Sequence, residues 1–234
     1  SHMPFVVRAL DGDPSTVDAP TLAPLSESVD QELAIQAAAY LKRLDIPIYP
    51  RQEWPIRGIP SFAPHQFIYT SRKAGVGRAL CYWSDAGWGD LVEQGKYQDG
   101  FFDQRLVEAC VALLERWNPT PVPEWVCCIP SSRHRELVPD FAGRLADALG
   151  LPFVEALVKA RDNEQQKAMQ NSTQQVRNLD GAFAVIPELP PGPCLLVDDM
   201  VDSRWTFAIA AWQLRAAGSG PVFPLALAQT GQGR

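Results

Sequence analysis

The chain has 234 residues, 46% of them apolar, which is enough for one large domain or two small ones. Charged residues make up 21% and the net charge is −6, an ordinary soluble composition that excludes a global electrostatic pull on nucleic acid. No apolar run approaches the roughly 20 residues of a membrane helix and no signal-peptide pattern opens the chain, so no membrane partner and a cytoplasmic location are expected.

Ser1-His2-Met3 reads as a scar of tag removal, and a fragment of a longer natural protein is the expectation. Residues 1–24, with Asp11, Gly12, Asp13, Pro14, Pro20 and Pro24, read as an irregular arm. From Ser26 to Arg43 the stripe Leu33, Ala37, Tyr40, Leu41 and Leu44 predicts a helix. Five prolines between 46 and 66 exclude a regular helix or a central strand there. Val76 to Gly89 mixes large apolar and small residues. Phe101 to Trp117 predicts an amphipathic helix with Leu106, Ala109, Cys110, Leu113, Leu114 and Trp117 on one face, ended by Asn118-Pro119. Residues 25–120 are thus expected to form an N-terminal accessory lobe of helices and irregular strands.

From Glu124 the rhythm changes. Trp125-Val-Cys-Cys-Ile129 and Cys194-Leu-Leu-Val-Asp198 are continuous apolar runs, the mark of strands buried on both faces, and Pro221 to Ala228 is a third. Leu151 to Leu157 is read as a further strand. Leu137, Phe141, Leu145 and Leu149 predict a helix stopped by Gly150, and Thr206 to Ala217 a helix closed by Gly218. Asn163, Gln165, Gln166, Gln170, Asn171, Gln174 and Gln175 leave little to bury between 162 and 176, which predicts a loop or projecting hairpin. The fold class expected for residues 121–234 is α/β, a mainly parallel sheet with flanking helices. In such sheets ligands sit at the carboxyl ends of the strands, so the loops at 130–136 and 199–206 are where chemistry is sought.

The five cysteines, Cys81, Cys110, Cys127, Cys128 and Cys194, contain no C-x-x-C pair and suggest neither a disulfide framework nor zinc; they read as buried small hydrophobes. The richest segment is Leu195-Leu-Val-Asp-Asp-Met-Val-Asp-Ser-Arg-Trp-Thr206. Adjacent acids at a strand end, Asp198 and Asp199, can accept hydrogen bonds from sugar hydroxyls or hold Mg²⁺. Ser203, Thr206 and the free N–H groups of a helix start can hold a phosphate. The alternatives are plain loop or capping acids, or the Mg²⁺-binding acids of a receiver domain.

This segment resembles the phosphoribosyl-pyrophosphate loop of type I phosphoribosyltransferases, in which two acids precede a Thr-Gly-Gly-Thr-like phosphate cradle. Ile129-Pro-Ser-Ser-Arg133 resembles the pyrophosphate loop of the ComF-like branch. Lys159-Ala-Arg161, Gln165-Gln-Lys167 and Arg177 to Phe183 resemble its flexible loop and following strand pair. The resemblance implies Asp198 and Asp199 as the catalytic acids and Mg²⁺ site. It implies Asp202, Ser203, Arg204, Trp205 and Thr206 as the 5′-phosphate cradle, and Ser131, Ser132, Arg133, Lys159 and Arg161 on pyrophosphate. Phosphoribosyl pyrophosphate or a nucleotide is the implied ligand.

The chain as a whole is similar to the C-terminal region of some bacterial RecQ-type ATP-dependent DNA helicases. Pro50-Arg-Gln-Glu-Trp-Pro55, Gly77-Arg-Ala-Leu80 and Asp85-Ala-Gly-Trp-Gly89 carry that similarity. It implies an accessory role in DNA repair, with DNA reached through a parent helicase; no G-x-x-x-x-G-K-[ST] motor loop occurs in the chain. Arg204 and Trp205 stand where the transferase cradle carries glycines. Two large side chains there predict little or no turnover, while Arg204 offers a charge-assisted phosphate contact of its own and Trp205 can pack against the N-terminal half. An active, Mg²⁺-dependent transferase is the alternative. Weaker candidates are His134, Lys167, and the basic residues Arg57, Arg72, Lys73 and Arg78 set among Tyr69, Tyr82, Trp83 and Trp88, a mixture used for single-stranded nucleic acid or, more simply, for packing.

Overall fold

The computed structural model describes residues 46–85, 87–161 and 171–230. The irregular arm, the 26–43 helix, Lys167 and most of the glutamine-rich loop lie outside them. The chain order is β1 (Ile46–Ile48), β2 (Gly77–Tyr82), α1 (Trp88–Gln94), a π-helical turn (Gly95–Asp99) and α2 (Gln104–Trp117). Then come β3 (Trp125–Cys128), α3 (Leu137–Leu149), β4 (Leu157–Lys159), α4 (Ser172–Leu179), β5 (Phe183–Val185), β6 (Cys194–Val201), α5 (Trp205–Ala216) and β7 (Val222–Gln229).

The main sheet has the order β1-β2-β7-β6-β3. β2, β7, β6 and β3 are parallel, and β1 is antiparallel at the edge. The three apolar runs read from the sequence are neighbours, with Cys127 opposite Leu196 and Leu196 opposite Pro224. Two prolines fall within strands. Pro47 lies in the edge strand β1, where a missing donor is cheapest. Pro224 lies inside β7.

Alternation along each strand feeds two cores. Cys194 and Leu196 face α4 and α5 together with β4 and β5. Leu195 and Val197 face α1, α2 and α3. α2 starts behind Asp103, whose carboxylate accepts from Arg105 N–H, and ends at Asn118 in a left-handed conformation. α3 runs over Leu137–Leu149 with Gly150 left-handed behind it, as its spacing predicts. The five cysteines are all buried and unpaired. Desolvation pushes the Cys127 thiol up to about 11 and that of Cys110 to about 12, so both stay protonated.

Three expectations are corrected. Leu151–Leu157 is not one strand: Phe153 makes a single parallel bridge to Val126, and the chain then turns away so that β4 pairs antiparallel with β5. Residues 172–176 are not loop but the first turns of α4. The Asn171 carboxamide accepts from Gln174 N–H at its start, and Val176 and Leu179 are buried beneath. β6 does not stop at Asp198 but pairs with β7 as far as Val201. The segment read as an accessory lobe also supplies β1 and β2 to the same sheet as the C-terminal half.

Candidate functional site

β3 ends one residue short of the level of Asp198: Cys128 is opposite Val197, and Ile129 N–H donates to Val197 O. β6 continues beyond it. This step at the carboxyl ends of the strands opens a cleft of about 450 Å³. It is lined by the 129–134 loop, by Asp198 to Arg204, and by Thr206, Lys159, Phe183, Lys96, Tyr97 and Thr230 among others. The size is that of an ordinary small-molecule site.

On the floor, Asp198 and Asp199 follow each other along β6. The Asp198 carboxylate accepts from Asp199 N–H at 2.9 Å. Loss of solvation, then the charge of Asp199, push the Asp198 carboxyl well above the usual carboxylate range, while Lys96 pulls the other way. Lys96 Nζ lies 2.7 Å from Asp199 Oδ2 with both side chains largely buried, at 15% and 14% exposure. The same ammonium lies 3.1 Å from Met200 Sδ.

The loop into α5 forms one wall. Arg204 has φ 69°, the left-handed conformation, and heads α5 without a side-chain cap. Ala208 N–H is the one that bonds back to Arg204 O, so the N–H groups of residues 205–207 precede the helical ladder. Ser203 does not cap the helix. Its carbonyl instead accepts two bonds from Arg51, at 2.9 and 2.7 Å. Asp202 accepts from the Thr230 hydroxyl at 2.9 Å. Arg204 donates back to Tyr49 O at 3.3 Å.

The opposite wall is the 129–134 loop, where Ser131 Oγ accepts from Arg133 and His134 N–H, both at 3.3 Å. Lys159 approaches from β4, its ammonium 4.8 Å from the centre of the Phe183 ring.

Of the residues picked out in the sequence, Asp198, Asp199, Asp202, Ser203, Arg204, Thr206, Ser131, Ser132, Arg133, His134 and Lys159 line this one cleft. Trp205 and Arg161 do not. Trp205 is 2% exposed and stacks on Trp54 at 5.9 Å, with Arg51 over its face at 4.3 Å. Arg161 donates to the carbonyls of Asn178 and Asp180 behind α4. The basic and aromatic residues of the N-terminal half are mostly engaged within the fold. Arg72 donates to Arg215 O, Lys73 to Gln52, and Arg78 lies over Trp117, while Trp88 is buried.

Sequence reasoning missed Lys96, Tyr97 and Thr230 in the cleft. It singled out Pro50 to Pro55 without giving Arg51 and Trp54 their role behind the loop. Only that short motif signalled them.

No protein-family model matches the chain, and no curated protein matches it. Among solved structures, the adenine phosphoribosyltransferase of Leishmania tarentolae is similar with a TM-score of 0.35 and 14% identity, over 54% of this chain and 72% of that one. The adenine phosphoribosyl transferase of Trypanosoma brucei in complex with AMP, pyrophosphate and ribose-5-phosphate is similar with a TM-score of 0.36 and 14% identity, over 76% of this chain and 75% of that one.

Proposed function

We propose that the cleft binds the phosphorylated ribose of a nucleotide or of phosphoribosyl pyrophosphate, with little or no phosphoribosyl transfer, in an accessory module of a RecQ-type DNA helicase. The ligand class rests on one observation: two carboxylates and the uncapped start of α5 open into the same cleft. The carboxylates suit ribose hydroxyls, and the N–H groups with Arg204 suit a 5′-phosphate. Ser131, Ser132, Arg133 and Lys159 face them across the cleft, where a diphosphate would lie. Tyr97, 60% exposed at the rim and edge-on to Trp83, offers a face for a base.

Weak turnover follows from the charge of the floor. Phosphoribosyl transfer builds positive charge on the ribose carbon, and fixed negative charge nearby is what stabilises it. Here Asp199 is already paired with Lys96, and Asp198 is driven toward its neutral form. The second reading, an active transferase, is favoured by the cradle backbone. Arg204 already holds the glycine-like φ of 69°, and the Trp205 ring is turned into the core rather than into the phosphate position. The helicase context rests on the sequence similarity. Of its elements, Arg51 and Trp54 pack behind the 202–206 loop, outside the cleft itself.

Calorimetry with ribose 5-phosphate and AMP, together with pyrophosphate release from phosphoribosyl pyrophosphate over a panel of nucleobases, tests both readings. Weak saturable binding is expected, reduced about tenfold by Asp199→Asn, the worth of one charge-assisted hydrogen bond. Tyr97→Ala should weaken AMP about tenfold and leave ribose 5-phosphate unchanged, the difference being one aromatic–base stack. Brisk pyrophosphate release with any base replaces the accessory reading by the transferase one. Equal affinities in wild type and Asp199→Asn remove the acids from the site.

A further inference from the structure

We propose that the Lys96 ammonium is the resident cation of the acidic floor, so that ligand capture at this site needs no divalent metal. The inference rests on the phosphorylated-ribose reading above and specifies its electrostatics.

Mg²⁺ binds hard oxygen donors, ionised carboxylates first among them, in near-ideal octahedral geometry. The residues present do not fit it. Asp199 Oδ2, a cleft-facing donor, is already 2.7 Å from an ammonium. A divalent ion beside that oxygen would sit against a positive charge.

Lys96 is built into its place rather than resting there. It belongs to the π-helical turn Gly95–Asp99, a kind of helix irregularity often found at functional sites. Gly95 seats that turn tightly: a Cβ on it would fall 2.7 Å from Phe101 O. The side chain is 15% exposed, and its Nζ reaches both Asp199 and Met200. An ammonium has three donors. With one directed to Asp199 and one to Met200 Sδ, the third remains for an oxygen of the ligand. The pair thus performs what a bound metal would do, screening the acids and offering a cation to an anionic ligand, with the cation tethered to the chain.

The experiment is calorimetric titration with ribose 5-phosphate, in Mg²⁺ and separately in EDTA, of wild type, Lys96→Met and Lys96→Arg. Wild-type affinity is expected to agree within about twofold between the two buffers. Lys96→Met should lose about tenfold or more in EDTA and regain part of it in Mg²⁺, and Lys96→Arg should stay near wild type. Wild-type binding that vanishes in EDTA and returns with Mg²⁺ overturns the inference while leaving the ribose-phosphate reading intact. So does Lys96→Met binding equal to wild type in both buffers. No wild-type binding in either buffer overturns the ribose-phosphate reading itself. The wild-type comparison needs no variant, so it tests metal independence even should Lys96→Met fail to fold, and Lys96→Arg still reports on the lysine.

Discussion

Asp198 carries a cost that its neighbours only partly offset. Its carboxyl is held well above the usual carboxylate range in the folded chain, by desolvation first and Asp199 second. An acid whose folded pKa is raised contributes its full stability only below the unfolded value, and that contribution is lost as pH rises. Asp198→Asn keeps an oxygen for Asp199 N–H and removes the charge. The variant should therefore melt higher than wild type at neutral pH, with the gap closing as pH falls into the ordinary carboxylate range. Thermal melts of both proteins across that window check the sign; a gap that widens on acidification contradicts it. The two acids are legible in the sequence because they end an apolar run. Lys96 is not, since nothing in Gly95-Lys-Tyr-Gln-Asp99 marks a lysine that reaches across about a hundred positions to meet Asp199. Trp205 is legible only as a choice between cradle and core, and which way its ring points depends on Trp54, far away in sequence.

At the scale of elements, the Pro50 to Pro55 segment is the buttress of the site. Its prolines keep it out of helix and of any long strand; its backbone pairs only briefly, Glu53 bridging Phe67, and its side chains do the packing against α5. Trp54, 1% exposed, touches Phe62, Trp205 and Trp212. That cover explains why α5 is buried nearly all round instead of along one stripe. Trp54→Ala should destabilise the fold by about 3–5 kcal/mol, the cost of emptying a large aromatic site. Trp54→Phe should cost markedly less. Urea unfolding measures both; a loss under about 1 kcal/mol for the alanine variant shows that the stack is not structural. In the C-terminal half α3 is readable from its periodicity and β3, β6 and β7 from their apolar runs, while β4 is blurred into the Leu151–Leu157 run and α4 is hidden by its glutamines. Its two buried residues, Val176 and Leu179, sit three apart, too short a stripe to announce a helix without its neighbours.

Across the whole molecule, the sheet joins what composition divides. β2 lies against β7, with Ala79 opposite Ala226 and Cys81 opposite Ala228. α2 and α3 together cover one face of the sheet. A chain of residues 121–234 alone would leave the β7 edge and part of that face bare, an exposure that invites aggregation. The described residues of both halves should therefore unfold in one step, with far-UV and tryptophan signals superimposing in a thermal scan. Two separated transitions would show that the halves are independent units. Of the parallel order β2-β7-β6-β3, the last three strands are readable from their apolar runs. β2 is not, because Gly77-Arg-Ala-Leu80 is too short and too mixed to read as a central strand.

The two bonds from Arg51 to Ser203 O have a kinetic meaning. A loop that must close around its ligand spends part of the binding energy on becoming ordered, and it slows capture while it searches for the right shape. Here that ordering is completed during folding, by a guanidinium lodged over an indole ring and clasped to the loop's own carbonyl. Ligands should therefore meet a finished surface. The observed association rate should rise linearly with ligand concentration, without the plateau that a shape change would impose, and differences among ligands should appear in how long they stay rather than in how fast they arrive.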